Sequence, residues 1–157
     1  LMPVITFLGN GGILWIAITI VLLFSKKYRK YGVLLATALL CFQILGNFTL
    51  KPLIARARPF IADPSLQLII DPPSGYSFPS GHTMSSFAAV PILWFANKKW
   101  GVSALVVAIL IGFSRLYLQV HYPSDVLVGA VLGLALSFGV LAVYKKIMKN
   151  AKAKPKE

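Results

Sequence analysis

Each of the two histidines in this chain lies in a short polar cluster within an otherwise apolar sequence. His82 ends the tetrad Pro79-Ser80-Gly81-His82, and His121 lies four residues before Asp125. One imidazole can attack a phosphorus atom and another can protonate the leaving oxygen, while a carboxylate orients the attacking ring. The clusters therefore indicate phosphate chemistry, with His121 as candidate nucleophile and His82 as candidate acid.

Cations that could hold the phosphate precede both histidines. Lys51 and Arg58 are seven residues apart, which is close to two helical turns, so a short helix at about Pro52–Ala57 would point both the same way. Arg115 lies six residues before His121, so a bend or its own length must bring it to the ring. Arginine offers a planar fork and lysine a point charge to phosphate oxygens.

The start of the third apolar run can form an anion cradle. Gly81 allows a tight bend, and a helix that begins there points its free amide groups toward an anion. Ser80 would cap this helix and could also donate to a phosphate oxygen.

Each cluster also has an interpretation without chemistry. The histidine at 82 could be a surface residue on a plain capped helix, and His121 with Asp125 could be an interfacial pair favoured by a helix dipole. The cations could face lipid headgroups, with Arg115 snorkelling to the interface. Arg56 falls off the face that Lys51 and Arg58 would share, so it is a second-rank candidate.

Composition indicates a membrane protein. Of 157 residues, 57% are hydrophobic and 13% are charged, whereas a soluble domain carries roughly a quarter charged residues. The formal charge is +12, but the cations lie between the apolar runs and at the C-terminus rather than on one soluble face. We therefore expect anionic lipids and phosphorylated substrates as partners, and no nucleic acid. Cys41 is the single cysteine, so an internal disulfide is excluded.

The apolar runs predict an all-α polytopic membrane protein, a helical bundle with five transmembrane helices in a single domain over residues 1–157. The glycine-rich stretch at 9–12 should soften the first helix, and the proline-rich stretch at 51–78 should lie outside the hydrocarbon. Gly129 and Gly133 are spaced for close helix packing, although glycine is common in membrane helices generally. The predicted spans are about 3–24, 31–50, 80–97, 101–119 and 125–144, followed by a basic tail at 145–157 that is frayed or contacts lipid.

Charge predicts the orientation. With five spans, the lysine-rich segments at 26–30, 98–99 and the C-terminus fall on one side, which the positive-inside rule places in the cytoplasm. All three polar clusters then meet on the extracytoplasmic face.

The three clusters, taken in order, resemble the motifs of the type 2 phosphatidic acid phosphatase superfamily, which includes acid phosphatases and vanadium haloperoxidases. The family pattern is Lys-x6-Arg-Pro, then Pro-Ser-Gly-His, then Ser-Arg-x5-His-x3-Asp. The motif positions of this chain, all of which match, are Lys51, Arg58, Pro59, Pro79, Ser80, Gly81, His82, Ser114, Arg115, His121 and Asp125.

The resemblance implies a role for each of these positions. His121 would form a phosphohistidine, Asp125 would orient it, and His82 would protonate the leaving group. The phosphate-binding residues would be Lys51, Arg58, Arg115 and the backbone at Ser80 and Gly81. The resemblance to the phosphatases of the family implies that no metal or other cofactor is needed, which fits the scarcity of acidic residues here.

The resemblance also implies a small bacterial lipid phosphatase of the inner membrane, with an extracytoplasmic site. Its substrate would be undecaprenyl pyrophosphate, or else phosphatidylglycerol phosphate or phosphatidic acid. Two alternatives are a vanadate-dependent haloperoxidase-like enzyme and a non-catalytic lipid-binding or transport protein. Membrane members usually have six spans, so we expect a further span or interfacial helix before Leu1.

Overall fold

The computed structural model describes residues 1–153, which form a bundle of α-helices without strands in that range. The all-α membrane class predicted from the sequence is confirmed. In chain order the elements are α1 (Met2–Leu8), a 3₁₀ turn (Asn10–Gly12), α2 (Ile13–Phe24), α3 (Arg29–Phe42), a π-helical segment (Gln43–Leu50), α4 (Lys51–Ile54), α5 (Pro59–Ala62), α6 (Gly81–Ala96), α7 (Lys98–Tyr117) and α8 (Pro123–Ala153).

Three helical stretches in the described residues are long and apolar enough to cross a bilayer: Arg29–Ala62, Lys98–Tyr117 and Pro123–Ala153. The pair Met2–Leu8 and Asn10–Phe24, bent by 42°, makes a fourth if it is one span. The predicted span at 80–97 is α6, whose 16 residues rise only about 24 Å, less than the ~30 Å of a hydrocarbon core.

Helix α6 lies at the centre of the bundle, which explains how a short helix can occupy this place. It makes its most extensive contacts with α7 and α8 and also packs on α3. Its side chains from Thr83 to Leu93 are nearly all buried, so neighbouring helices rather than lipid surround it. Lipid instead meets the outer faces of the other helices, which expose rows of large apolar side chains, such as Val21, Phe24, Phe48, Leu127, Val131 and Phe138.

The bend before α2 follows from the glycine-rich sequence at that point. Gly11 and Gly12 adopt the left-handed conformation, with φ of 58° and 74°, so the chain bends between α1 and α2 where the glycine-rich stretch predicted a soft point.

At the C-terminal end of the described residues, α8 continues to Ala153. The part of the tail at 145–153 is therefore helical rather than frayed, and residues 154–157 lie outside the described residues.

The packing predicted for Gly129 and Gly133 is confirmed, and the partner is α6 of the same chain. A Cβ atom at Gly129 would come within 2.9 Å of the Ser80 carbonyl oxygen, and one at Gly133 would collide with the Met84 carbonyl. One turn later, Ser137 donates a hydrogen bond to the Ala88 carbonyl. This small-residue face lets the backbones of α6 and α8 approach closely.

The basic segments and the histidines lie at opposite ends of α6. At its C-terminal end, Phe95 packs on Tyr31 and Tyr144, and Lys145 lies 5.3 Å from the Phe95 ring centre. Tyr28 stacks on Trp100 at the same end. His82 lies in the first turn of α6, about 20 Å away at 1.5 Å per residue.

Replacing Gly133 by alanine tests the close approach of α6 and α8. Because the new methyl group meets a backbone carbonyl that cannot rotate away, Gly133→Ala should destabilise the protein by about 1–3 kcal/mol. The matched control is Gly139→Ala on the same helix, where a Cβ meets nothing within 4 Å; it should be neutral or slightly stabilising. Thermal unfolding in detergent measures both, and equal melting temperatures would contradict the packing.

Candidate active site

A reversal of the chain between α7 and α8 positions His121. Gln119 adopts a left-handed conformation with φ of 56°, and the Val120 amide donates back to the Arg115 carbonyl at 3.3 Å. The chain thereby turns back toward Arg115, which supplies the bend that their spacing required. His121 Nδ1 lies 3.4 Å from Asp125 Oδ2, so the predicted pairing of these two residues is present.

Asp125 is fully buried and its carboxylate oxygens have several donors. Oδ2 accepts a hydrogen bond from Ser77 Oγ and one from the Tyr122 amide at 2.9 Å. Oδ1 forms an ion pair of 2.7 Å with Arg56 Nη1. The carboxylate is therefore held by its own network beside His121.

The placing of Arg56 and Ser77 differs from what the sequence suggested. Arg56, a second-rank candidate, forms an ion pair with Asp125, donates to Ser124 at 2.7 Å and stacks at 3.9 Å on the Tyr122 ring. Ser77 was not a candidate at all. It lies in the irregular connection before α6, and a serine in such a stretch gives no signal that could have identified it.

Lys51 and Arg58 do not share a helix, contrary to the sequence prediction. Helix α4 ends at Ile54 because Ala55 is left-handed, with φ of 48°, and the chain is irregular from there to Arg58. The expected helix at about Pro52–Ala57 is thus shorter, and the spacing argument was wrong. Arg58 nevertheless reaches the site from an extended backbone.

Arg58 is only 3% exposed and its guanidinium fans out over backbone carbonyls. It donates to Gly75 at 2.9 Å, to Ser74 at 3.1 Å and to Val120 at 3.0 Å. Its Nη1 also lies 3.3 Å from His121 Nε2. Arginine has no acceptor, so this contact requires a lone pair on Nε2.

The tautomer of His121 follows from its polar neighbours. Arg58 faces Nε2, and Asp125 and Ser77 Oγ each lie 3.4 Å from Nδ1, so the neutral ring carries its proton on Nδ1 and has its lone pair on Nε2. Burial lowers the pKa of His121 to about 4, although the hydrogen bond to Asp125 acts in the opposite direction. The ring is therefore unprotonated near neutral pH, which is the state that a nucleophile needs.

Arg115 is 2% exposed and has few partners. Its Nη1 donates to Thr6 Oγ1, and its Nε has no hydrogen-bond partner in the described residues. Thr6 lies in α1 and was not predicted, because a single threonine in an apolar helix has many structural roles.

Ser80 and Gly81 form the helix start that the sequence predicted. Ser80 is the N-cap of α6, and its Oγ accepts from the Thr83 amide and hydroxyl at 3.5 and 2.9 Å. The Ser80 amide itself donates to the Asp125 carbonyl at 3.1 Å, so it is not free for an anion. The amides that remain at this N-terminus are those of Gly81 and His82.

Lys51 lies beside this helix start. A Cβ atom at Gly81 would be 3.7 Å from Lys51 Nζ and 3.3 Å from Asn47 Oδ1. Both side chains come from the π-helical segment or its end, a type of backbone that is frequent at functional sites.

His82 points its Nε2 toward Asn10 Oδ1 at 2.8 Å. Asn10 was missed from the sequence, although a polar residue within a glycine-rich break was a usable signal. The charges of Lys51, Arg58 and Arg115 and the ring of His121 lie close enough to act on His82. The predicted residues are therefore brought together in one cluster.

The cluster carries excess positive charge. Both ion pairs in the described residues involve Asp125, one with Arg56 and one with His121. Arg58 and Arg115 are buried without a carboxylate partner, which is costly unless an anion binds there. The described residues contain no group of three or more His, Cys, Asp or Glu side chains suited to a metal ion.

A cavity of about 620 Å³ lies on the Lys51 and His82 side of this cluster, and His121, Arg58 and Arg115 do not line it. Its polar end includes Lys51, Gly81 and His82, together with Gln43 and Asn47. The remaining wall is largely apolar and belongs to α2 and α3, including Ile16, Ile20, Ala36, Leu39 and Leu40. The cavity therefore suits a molecule with an anionic head and an apolar tail.

The sequence matches the PAP2 superfamily over residues 27–149, and the chain belongs to that family. It is 34% identical over 125 residues to an undecaprenyl-diphosphatase of Sulfolobus acidocaldarius, covering 79% of this chain and 60% of that protein. The chain thus spans less than two thirds of the length of that relative.

Two solved structures share the fold. One is a transmembrane PAP2-type phosphatidylglycerolphosphate phosphatase from Bacillus subtilis, with a TM-score of 0.76, 34% identity, and coverage of 93% of this chain and 76% of that one. The other is LpxE of Aquifex aeolicus, with a TM-score of 0.78, 29% identity, and coverage of 90% and 83%.

The protonation of His121 can be measured directly. In a His82→Gln variant only one histidine remains, so ¹⁵N-histidine NMR in detergent micelles reports His121 alone. We expect the proton on Nδ1 at neutral pH and a pKa near 4, because burial opposes the charged ring. A titration near the ordinary value of about 6.5 would contradict this environment.

The unpaired cations predict binding of a simple anion. Inorganic phosphate should raise the melting temperature, since a ligand of the folded state stabilises it. Lys51→Met should raise the Kd for phosphate about 10- to 100-fold, which is the usual effect of losing a hydrogen bond to a charged group. Lys149→Met, on the exposed end of α8, is the control and should leave the shift unchanged. The same shift in both variants would exclude Lys51 from the site.

Proposed function

We propose that this protein is a lipid phosphate or pyrophosphate phosphatase that acts through a phosphohistidine, without a metal. The observation that carries the proposal is the environment of His121: a neutral ring whose unprotonated Nε2 faces a buried guanidinium that has no acidic partner among the described residues. A nucleophile and an anion-binding group are therefore held in contact before any substrate arrives.

In the proposed first step, Nε2 of His121 attacks phosphorus and the bond to the leaving oxygen breaks. Protonated His82 gives its proton to that oxygen, so the lipid alcohol or lipid phosphate leaves with one negative charge fewer than the unprotonated leaving group would carry. Asp125 accepts the hydrogen bond of Nδ1–H and stabilises the ring as it becomes positive.

In the second step, water attacks the phosphohistidine and His82 takes a proton from it. The bond between nitrogen and phosphorus breaks, inorganic phosphate is released, and both histidines return to their initial states. Arg58, Arg115, Lys51 and the amides of Gly81 and His82 would hold the phosphoryl oxygens while charge accumulates on them. Hydrolysis of phosphate monoesters is among the slowest uncatalysed reactions, so such stabilisation is essential.

The cavity supports a lipid as substrate. A phosphorylated headgroup would lie at its polar end near His82, and the first part of the tail would follow the apolar wall between α2 and α3. Undecaprenyl pyrophosphate is our first candidate, followed by phosphatidylglycerol phosphate and phosphatidic acid. The names of the Sulfolobus and Bacillus relatives include the first two of these activities.

We place the site at the extracytoplasmic face of a bacterial inner membrane. The support is the separation along α6, with lysine-rich segments around its C-terminal end and the histidines at its N-terminal end. By the positive-inside rule the lysine-rich end is cytoplasmic. Anionic lipid headgroups would contact that end.

A panel of lipids tests the substrate class. Purified protein should release phosphate from at least one of undecaprenyl pyrophosphate, phosphatidylglycerol phosphate and phosphatidic acid, and a chelator should not reduce the rate. Loss of activity in chelator would contradict the metal-free mechanism. Failure on every lipid of the panel would contradict the proposed function.

Replacement of His121 tests the nucleophile. His121→Ala should lower kcat by about a thousandfold or more, because the covalent route is lost. His121→Gln keeps more of the volume and should be equally inactive, while Asn150→Ala at the exposed end of α8 should behave as wild type. Substantial turnover by either His121 variant, with normal melting temperature, would refute the assignment.

A further inference from the structure

The N-terminal helix α1 and the turn after it contact the site although they lie outside residues 27–149, the part that matches the family. Two polar side chains of this segment reach residues of the cluster: Thr6 contacts Arg115, and Asn10 contacts His82. These contacts join positions 109 and 72 residues apart in sequence, so only the packing of α1 onto α7 and of the 3₁₀ turn onto α6 creates them.

The turn is fitted to one edge of the His82 ring. A Cβ atom at Gly9 would lie 2.6 Å from His82 Cδ2 and 3.0 Å from Ile111 Cγ2, so any larger residue here would displace the ring or the turn. The next residue, Asn10, then holds the adjacent ring atom Nε2 at 2.8 Å. With Oδ1 as acceptor, Nε2 keeps its hydrogen, and Nδ1 is left without a protein partner in the described residues.

This acceptor matters because of what else faces His82. Lys51, Arg58, Arg115 and the ring of His121 all lie within electrostatic range of His82. The one buried carboxylate of the described residues, Asp125, is already bonded by Arg56, Ser77 and the Tyr122 amide. A general acid must carry a proton, which these cations oppose. The carbonyl oxygen of Asn10 is a dipole that favours the protonated ring and fixes its plane.

Thr6 plays the corresponding part for Arg115. The threonine is 4% exposed, and its hydroxyl is the hydrogen-bond partner of the buried guanidinium in the described residues. Without it, the rest of the arginine side chain has no polar contact to select one rotamer, since Nε is unpartnered.

We propose that residues 1–12 supply two positioning residues to this site, Asn10 for the proton donor His82 and Thr6 for the phosphate clamp Arg115. The proposal rests on the proposed phosphatase function. It extends the working site to a segment that the family match does not include.

Substitution of Asn10 and substitution of Thr6 should affect the steady-state kinetics differently. In the first step, a misplaced acid slows departure of a poor leaving group, such as a lipid alkoxide, but hardly affects an activated aryl oxide that departs without a proton. The ratio kcat/KM isolates this step, because hydrolysis of the phosphohistidine, which is common to all substrates, does not enter it. A misplaced cation weakens the hold on the phosphoryl oxygens whatever group is leaving.

The experiment compares a lipid phosphate that the wild type hydrolyses with p-nitrophenyl phosphate. Asn10→Ala should lower kcat/KM on the lipid about tenfold, a part of the 10²–10⁴-fold contribution of acid catalysis, and should change kcat/KM for the aryl ester by less than about twofold. The alkaline limb of the pH profile of kcat/KM for the lipid should move to lower pH in Asn10→Ala, because the protonated form of His82 loses its acceptor. Asn10→Asp restores an acceptor and should move that limb back to the wild-type position or to higher pH.

Thr6→Val should raise KM for both substrates by about tenfold, because one hydrogen bond to a charged group is lost, and Thr6→Ser should restore it. The controls are Asn150→Ala, at the exposed end of α8, and Thr37→Ala, an exposed residue of α3 that does not line the cavity. Melting temperatures of all variants are compared, so that general destabilisation is recognised as a loss common to both substrates.

The outcomes separate this inference from the proposed function. If the wild type is active but Asn10→Ala matches Asn150→Ala, or loses both substrates equally, the role of Asn10 is wrong. If Thr6→Ser fails to recover what Thr6→Val loses, the role of Thr6 is wrong. If the wild type hydrolyses no phosphate ester at all, the phosphatase proposal fails and this inference fails with it.

Discussion

Burial of two guanidinium groups without acidic partners is the constraint on which the site depends. Arg58 is surrounded by the carbonyls of Ser74, Gly75 and Val120, and Arg115 has one hydroxyl. Carbonyl dipoles offset part of the cost of removing such charges from water, but they do not neutralise them. The remaining positive potential is what a phosphate group can cancel, so the same burial that costs stability in the empty protein favours anion binding.

Asp125, the one buried acid among residues 1–153, is held where it does not cancel this positive potential. Asp125 is bonded by Arg56, Ser77 and the Tyr122 amide, and these contacts hold it on the Nδ1 side of His121. Its direct contacts thus go to the ring and to Arg56, and it forms no ion pair with Arg58 or Arg115. A carboxylate that could swing to the other cations would compete with the substrate, and the network of donors prevents that movement.

Helix packing and site geometry are connected through α6 and α8. The glycines of α8 bring its backbone against α6, and at the top of this contact the Ser80 amide bonds the Asp125 carbonyl. The N-terminus of α6, with Gly81 and His82, is therefore fixed relative to the His121 corner by the same contact that closes the bundle core. Precision in the site comes from backbone approach deep in the bundle, where side chains have little freedom.

The sequence by itself determined the helical membrane class, the bend at Gly11, the Ser80 cap, the glycine contact at 129 and 133, and the set of residues that form the cluster. These features depend on local conformational preference, apolar periodicity and motif spacing, which are all readable along the chain. Only the tertiary structure decided that Arg58 reaches the site from extended backbone after a left-handed Ala55, and that Arg56 pairs with Asp125. It also decided that Ser77, Thr6 and Asn10 contact the predicted residues. Such contacts join segments far apart in sequence, and a lone serine, threonine or asparagine has no periodicity or motif that reveals its partner before the helices pack.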